Sequence, residues 1–74
     1  MTARAARSIS EYLRQLCLAL QGVEVGVIQE ALEAAEEYLR AEVAASPGIP
    51  EGDVLELIST TYGAPEDVAA AYRP

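Results

Sequence analysis

Apolar residues recur every three or four positions along most of this chain, which is the spacing of helices that bury one face. Ser8 and Glu11 are spaced as a capping box, a pattern that predicts the start of a helix. Gly22 is placed to end it, so we predict a first helix over about residues 9–21. Its apolar stripe comprises Ile9, Leu13, Leu16 and Leu20, with Tyr12, Cys17 and Ala19 on the flanks.

The longest stripe predicts a second helix over about residues 25–45. Residues 22–27 just before it alternate as a strand would, but the chain offers no second strand to satisfy the backbone of the first. We therefore interpret them as a loop that leads into the helix, with a strand as the alternative. The predicted inner face comprises Ile28, Leu32, Ala35, Leu39 and Val43, and the outer face comprises Glu30, Glu33 and Glu37.

Two shorter helices follow a turn rich in proline and glycine at residues 46–50. We predict the third helix over about 50–62, with its inner face formed by Val54, Leu55, Ile58 and Tyr62. Gly63 is placed to end it with a positive φ angle, and Pro65 is suited to begin a fourth helix over about 65–72. We expect Val68, Ala69 and Tyr72 to fold back on the third helix. Tyr62, Gly63 and Pro65 are named here the corner.

The elements together predict an all-α fold: a compact bundle of two long helices (about 9–21 and 25–45) and two short helices (about 50–62 and 65–72). Residues 1–7 are interpreted as a flexible basic arm and residues 8–74 as one helical domain. A chain of this size buries only about 60% of the surface that its unfolded form exposes. Association with a partner or a second copy would therefore stabilise it.

The charge of the chain argues against direct nucleic-acid binding. It has no lysine and a net charge of −7, whereas nucleic-acid binders concentrate basic residues on one face. Arg4, Arg7 and Arg14 lie near the beginning, so a weakly basic arm precedes an acidic body. Such an asymmetry favours a basic partner or a head-to-tail contact.

The residue types present offer little for catalysis. Histidine, lysine and asparagine are absent, which removes the commonest general base, the Schiff-base amine and the nitrogen ligands of zinc. We therefore predict no enzyme activity, no cofactor and no metal site. The glutamates of the second helix are interpreted as a solvated acidic face, with weak cation binding as the alternative: Glu30, Glu33, Glu36 and Glu37.

Cys17 is the only cysteine, and its place beside the first stripe predicts a packed, unreactive thiol, with redox sensing as the alternative. A single cysteine in so small a chain favours a reducing compartment. The first four residues are not followed by the apolar run that a signal peptide needs, so we expect none. The longest strongly apolar run, at residues 16–20, is too short to span a bilayer. We expect a cytoplasmic location.

A second, weaker stripe of small residues runs along the side of the second helix. It is interpreted either as a solvated flank of good helix formers or as an interface that lets another helix approach closely, with Tyr38 as a half-buried anchor. Leu18, on the outer side of the first helix, is expected to be exposed and is a further candidate contact. The candidate interface comprises Leu18, Val27, Ala31, Ala34, Tyr38, Ala41 and Ala45.

Three short motifs resemble the HAAS-type helical domain over about residues 8–72. They are Glu11-Tyr12-Leu13 with Leu16 and Leu20, then Glu36-Glu37-Tyr38-Leu39, then Tyr62-Gly63-Ala64-Pro65-Glu66-Asp67-Val68-Ala69. Two positions depart from the family pattern, since Tyr62 replaces a leucine and Ala64 replaces the serine that would cap the last helix. The resemblance implies signalling or scaffolding at the cytoplasmic side of bacterial membrane proteins, often beside PadR-type regulators, with no catalytic residues.

These observations predict a non-catalytic protein–protein interaction or signalling module that self-associates, as a homodimer, either alone or as the cytoplasmic head of a membrane protein. The alternative is a free-standing acidic regulator that docks on a basic partner such as a DNA-binding protein. A run of about 20 apolar residues encoded beyond Pro74 would favour the membrane-attached form, and a stop codon would favour the free regulator.

Overall fold

The computed structural model describes residues 6–73. In that range the chain forms four α-helices and no strand: α1 (Ile9–Ala19), α2 (Val25–Ala44), α3 (Glu51–Thr61) and α4 (Pro65–Ala71). The predicted all-α bundle is confirmed, and each helix end lies within two residues of its predicted position. Because α1 and α3 have 11 residues each, α2 with 20 residues is the one long helix of the described chain.

The start of α1 is capped both by its own residues and by α3. Ser8 Oγ accepts a hydrogen bond from the Glu11 N–H at 3.1 Å, as the capping pattern predicts. The Glu11 carboxylate accepts from the Arg7 N–H at 2.6 Å. A third bond comes from far along the chain, since the Glu51 carboxylate accepts from the Ile9 N–H at 2.7 Å. The free amides at this helix end are thus satisfied in part by α3.

The core lies between α1, α2 and α3, and its largest fully buried side chains are Tyr12, Leu16, Leu20, Leu39 and Leu55. On α2 the fully buried positions are Ala31, Ala35 and Leu39, whereas Ile28, Leu32 and Val43 are half-buried. The small Ala31 and Ala35 on the buried side of α2 suit close packing of a neighbouring helix, because helices separated by small side chains pack at shorter distances.

α1 packs against both α2 and α4, and α2 packs against both α1 and α3. The predicted docking of α4 on α3 is wrong: α4 packs chiefly on α1. Ala69 is buried there and Val68 is half-buried, whereas Tyr72 remains 38% exposed. The tight turn at Gly63 redirects the chain, so the helix next in sequence is not the helix next in space.

The beginning of the described chain is held against α3. Residues 1–5 of the predicted basic arm lie outside the described residues, but Ala6 is buried and Arg7 pairs with Asp53 at 3.5 Å and Glu56 at 3.4 Å. The Arg7 guanidinium lies over Gly52, where an added Cβ would come within 2.7 Å of it. Ala6 and Arg7, which the prediction assigned to the arm, therefore pack on the helical domain.

Candidate interaction surface

The corner after α3 has the geometry that the sequence predicts. Gly63 has a φ of +123°, a value that L side chains rarely adopt. The Ile58 carbonyl accepts from the Tyr62 N–H at 2.7 Å and from the Gly63 N–H at 3.1 Å, which ends α3. Pro65 occupies the first position of α4 and is buried. The chain thus turns within the three residues that separate the two helices.

Tyr12 of α1 forms a hydrogen bond to this corner. Its side chain is fully buried, and its hydroxyl donates to the Gly63 carbonyl at 2.7 Å. The sequence places Tyr12 only on the flank of a stripe, so this role was not predicted. The signal available was chemical: a buried tyrosine hydroxyl needs a hydrogen-bond partner, although the sequence does not say which one.

All four tyrosines of the chain lie close to one another around the corner. The rings of Tyr38 and Tyr62 are stacked, with centroids 4.3 Å apart and planes 18° apart. Burial raises the pKa of Tyr12 well above its usual value, and nearby Tyr62, Asp67 and Tyr38 raise it further. Burial also raises the pKa of Tyr62, with smaller contributions from Tyr72 and Tyr38.

Tyr38 therefore has a different role from the predicted one. It is half-buried, as expected, but one face of its ring already packs on Tyr62 of its own chain. Tyr62 is 37% exposed, so the stacked pair presents an aromatic edge at the surface. The predicted anchor for another helix is thus in the first place an internal contact between α2 and the end of α3.

The remaining small residues of the second stripe divide into two groups. Ala31 is only 1% exposed and belongs to the core, so its place in a predicted interface is wrong. It lies one turn before the buried Ala35 and shares its side of the helix. The other members are exposed or half-exposed, and we name them the α2 flank: Val27, Ala34, Ala41 and Ala45.

Leu18 is 58% exposed, as expected, but it does not extend the α2 flank. It lies two residues after the buried Leu16, which places it on the opposite side of α1. Leu57 on α3 is similarly exposed, at 63%. Single exposed leucines are ordinary on protein surfaces and define no site by themselves.

The prediction of a packed Cys17 thiol is wrong, because the Cys17 side chain is exposed. It follows Leu16 by one residue, which rotates it out of the buried face of α1. The half-buried Leu13, one turn earlier, marks the edge of that face. The position next to an apolar stripe was therefore not enough to bury the thiol.

The acidic face of α2 is solvated as predicted. Glu30, Glu33 and Glu37 are exposed, and Glu36 binds Arg40 one turn later at 2.7 Å. Among residues 6–73, no group of three or more metal-ligating side chains comes together. The exposed glutamates form a row of negative charge along the outside of the helix.

An open depression at the start of α1 is lined by Ser8, Ser10, Glu11 and Arg14. Two of its polar groups already have partners, since the Ser8 hydroxyl and the Glu11 carboxylate accept backbone N–H groups. The depression thus surrounds the capping groups of a helix.

The chain was compared with protein-family models, with curated proteins and with solved structures. No comparison found a match. Within residues 6–73, no helix combines the length and the apolar character required to cross a membrane. The surface with the clearest geometry is the α2 flank beside the stacked tyrosines.

Proposed function

We propose that this chain is a non-catalytic protein–protein interaction module that self-associates as a homodimer through the α2 flank. The observation that carries the proposal is the exposure of Ala34 and Ala41 along one side of the 20-residue α2 and of Ala45 at its C-terminal cap. No other element of the described chain covers these side chains. They form an uncharged strip on a chain with a net charge of −7.

A second copy is the partner that this strip fits best. Small side chains let two helix backbones approach closely, and a twofold axis would place the α2 flank against itself. An uncharged strip offers nothing to a charged partner. A domain with so small a core also gains stability by burying apolar surface between copies.

The test is to place a charge in the strip. We expect the parent chain to sediment as a dimer at high micromolar concentration and Ala34→Arg to sediment as a monomer with unchanged helicity, because the arginine would be buried without a partner. Gln29→Arg is the matched control, since Gln29 is exposed on another side of α2. It should remain a dimer.

Two results would contradict the proposal in different ways. A parent chain that is monomeric at high micromolar concentration would rule out self-association. A dimer that survives Ala34→Arg would show that the copies meet through another surface. Circular dichroism of both variants verifies that the helices are intact.

The resemblance of the corner and of the glutamate-rich helix to HAAS-type domains supports a signalling or scaffolding role at the cytoplasmic side of a membrane. Gly63 and Pro65 occupy the positions that the family motif assigns to them. The codons that follow Pro74 test the membrane-attached form, and imaging of a fluorescent fusion in the native cell tests the location.

One observation favours a second candidate, docking on a basic partner. Glu30, Glu33 and Glu37 are exposed and form no ion pair among residues 6–73. The test is binding of a labelled nona-arginine peptide to a variant with these residues changed to glutamine. A control of equal charge carries Glu24→Gln, Glu42→Gln and Glu66→Gln. If the two triple variants weaken peptide binding equally, the row of Glu30, Glu33 and Glu37 is not a specific docking surface.

A further inference from the structure

α4 depends on α1 for its structure. It has seven residues, and a helix of that length is not stable in water by itself. Only Pro65 and Ala69 of this helix are buried, and Val68 is half-buried. Ala64 precedes the helix and supplies no side-chain acceptor for its free amides. Although α4 lies close against α1, its docking therefore buries few apolar side chains and depends also on the groups at its two ends.

Each end of α4 is joined to α1 by hydrogen bonds from a side chain, and each of these connections is named here a tie. At the beginning, the Tyr12 hydroxyl donates to the Gly63 carbonyl at 2.7 Å. At the end, the Arg73 guanidinium donates to the Ala19 carbonyl and, at 3.4 Å, to the Gln21 carbonyl. Since the two ties follow the same order along both helices, α4 lies parallel to the second half of α1. The arginine also complements the negative end of the α1 dipole.

We propose that α4 is a latch, a helix that undocks from α1 as one unit about Gly63 while α1, α2 and α3 remain folded. The glycine supplies a hinge, because its φ of +123° is set by the corner and a glycine backbone passes freely to other values. The larger core of Leu16, Leu39 and Leu55 holds the other three helices together without α4. Segments with few buried contacts open at lower free energy than the whole domain.

Opening of the latch uncovers the side of α1 between Tyr12 and Ala19. Tyr12 is fully buried in the docked state and gains access to water when its tie to Gly63 is broken. The device thus gives the chain two surfaces, one with α4 docked and one with an apolar side of α1 exposed. This proposal requires no second copy and does not depend on the α2 flank.

Native-state hydrogen exchange on the full chain at low urea concentrations tests the latch. We expect the α4 amides, for example Val68, whose N–H donates to the Ala64 carbonyl at 3.0 Å, to exchange at least tenfold faster than the Leu39 amide in α2. Their exchange should also depend less on urea than that of Leu39, because a small opening exposes little surface.

Two variants identify the ties. Arg73→Gln should speed exchange of the α4 amides by on the order of fivefold, since a charged hydrogen bond to the end of α1 is lost. Leu39 should follow by a similar factor, because global unfolding starts from the same docked state. Leu55→Val, in the core that stays intact when the latch opens, should instead speed Leu39 and leave Val68 unchanged. Tyr12→Phe should act in the same direction on α4. Arg40→Gln is the control, because Arg40 pairs with Glu36 on the outside of α2, and α4 should not respond.

Three outcomes would overturn the proposal. Equal exchange rates and equal urea dependence for Val68 and Leu39 would make α4 part of the single cooperative unit. A Leu55→Val effect of the same size on both amides would show that α4 opens only when the whole domain unfolds. Fast exchange of α4 that is unchanged in Arg73→Gln and in Tyr12→Phe would show that neither tie holds the helix.

Discussion

Tyr12 connects the first helix to the corner through one hydrogen bond from a fully buried side chain. Tyr12→Phe keeps the ring and leaves the Gly63 carbonyl without this donor, so we expect a loss of about 1 kcal/mol in the free energy of unfolding at pH 7. Urea denaturation followed by circular dichroism measures it. Tyr72→Phe is the control, because Tyr72 is 38% exposed, and it should change stability by much less.

The same variant makes a prediction about alkaline pH. Burial, with smaller contributions from Tyr62, Asp67 and Tyr38, raises the pKa of Tyr12, so the folded chain keeps a proton that the unfolded chain releases near pH 10. The stability due to this group is present below pH 10 and falls above it, by at most about 1.4 kcal/mol per pH unit. Tyr12→Phe lacks the group, so the stability gap between parent and variant should narrow above pH 10. A constant gap would contradict this assignment.

Gly63 and Gly48 both have positive φ angles, of +123° and +85°, but they should differ in their tolerance of alanine. The value at Gly48 is closer to the left-handed region that other residues can reach. Added Cβ atoms would fit at both, with a nearest neighbour at 3.4 Å for Gly63 and none within 4 Å for Gly48. We expect Gly63→Ala to cost about 1–2 kcal/mol and more than Gly48→Ala, as measured by urea denaturation. If the two substitutions lower the free energy of unfolding equally, the positive φ angle at Gly63 does not disfavour a side chain more than the one at Gly48 does.

Residues whose roles are local could be predicted from the sequence, and residues whose partners are distant could not. Ser8, Gly63 and Pro65 act on their own helix ends, where spacing alone identifies them. Tyr12 and Arg73 act on carbonyls more than 50 positions away in the chain. Glycine and proline are limited by their own backbone, whereas a hydrogen bond between distant residues depends on the finished fold.

At the scale of elements, the helix boundaries follow from periodicity and capping, but the docking of α4 does not. Val68 and Ala69 form an apolar side that suits either α1 or α3, and nothing within α4 chooses between them. The choice depends on the direction in which the corner sends the chain. The sequence likewise could not assign Ala31, which was placed in the interface but is buried. A small alanine side chain is equally suited to a core and to a flank.

The start of α4 offers a substitution that should stabilise the chain. Asp67 already provides half of a capping box, since its carboxylate accepts from the Ala64 N–H at 3.3 Å. Ala64→Ser supplies the missing hydroxyl acceptor and should add about 0.5–1 kcal/mol to the free energy of unfolding, as measured by urea denaturation. Ala70→Ser is the control, because the same change within the exposed side of α4 only lowers helix propensity. Equal effects of the two substitutions would show that the α4 cap does not limit stability.

At the scale of the whole molecule, negative charge lies directly beside the uncharged α2 flank. Glu30 lies four residues before Ala34 and Glu37 three residues after it, so both are next to the α2 flank. A homodimer formed through the flank would bring these carboxylates near their counterparts in the second copy. The proposed association therefore works against electrostatic repulsion, which makes its salt dependence a test of the geometry.

The dimer should tighten as salt is added. Between about 20 and 300 mM NaCl the Debye length falls from about 20 Å to about 6 Å, so the repulsion between the two rows is screened and the dissociation constant should fall several-fold. Glu30→Gln should reduce this salt effect, whereas Glu33→Gln, farther around α2, should change it less. Sedimentation equilibrium at both salt concentrations measures the dimer dissociation constants of the parent chain, Glu30→Gln and Glu33→Gln. A dimer that weakens with salt would instead be held by opposite charges, and the uncharged α2 flank would not be its interface.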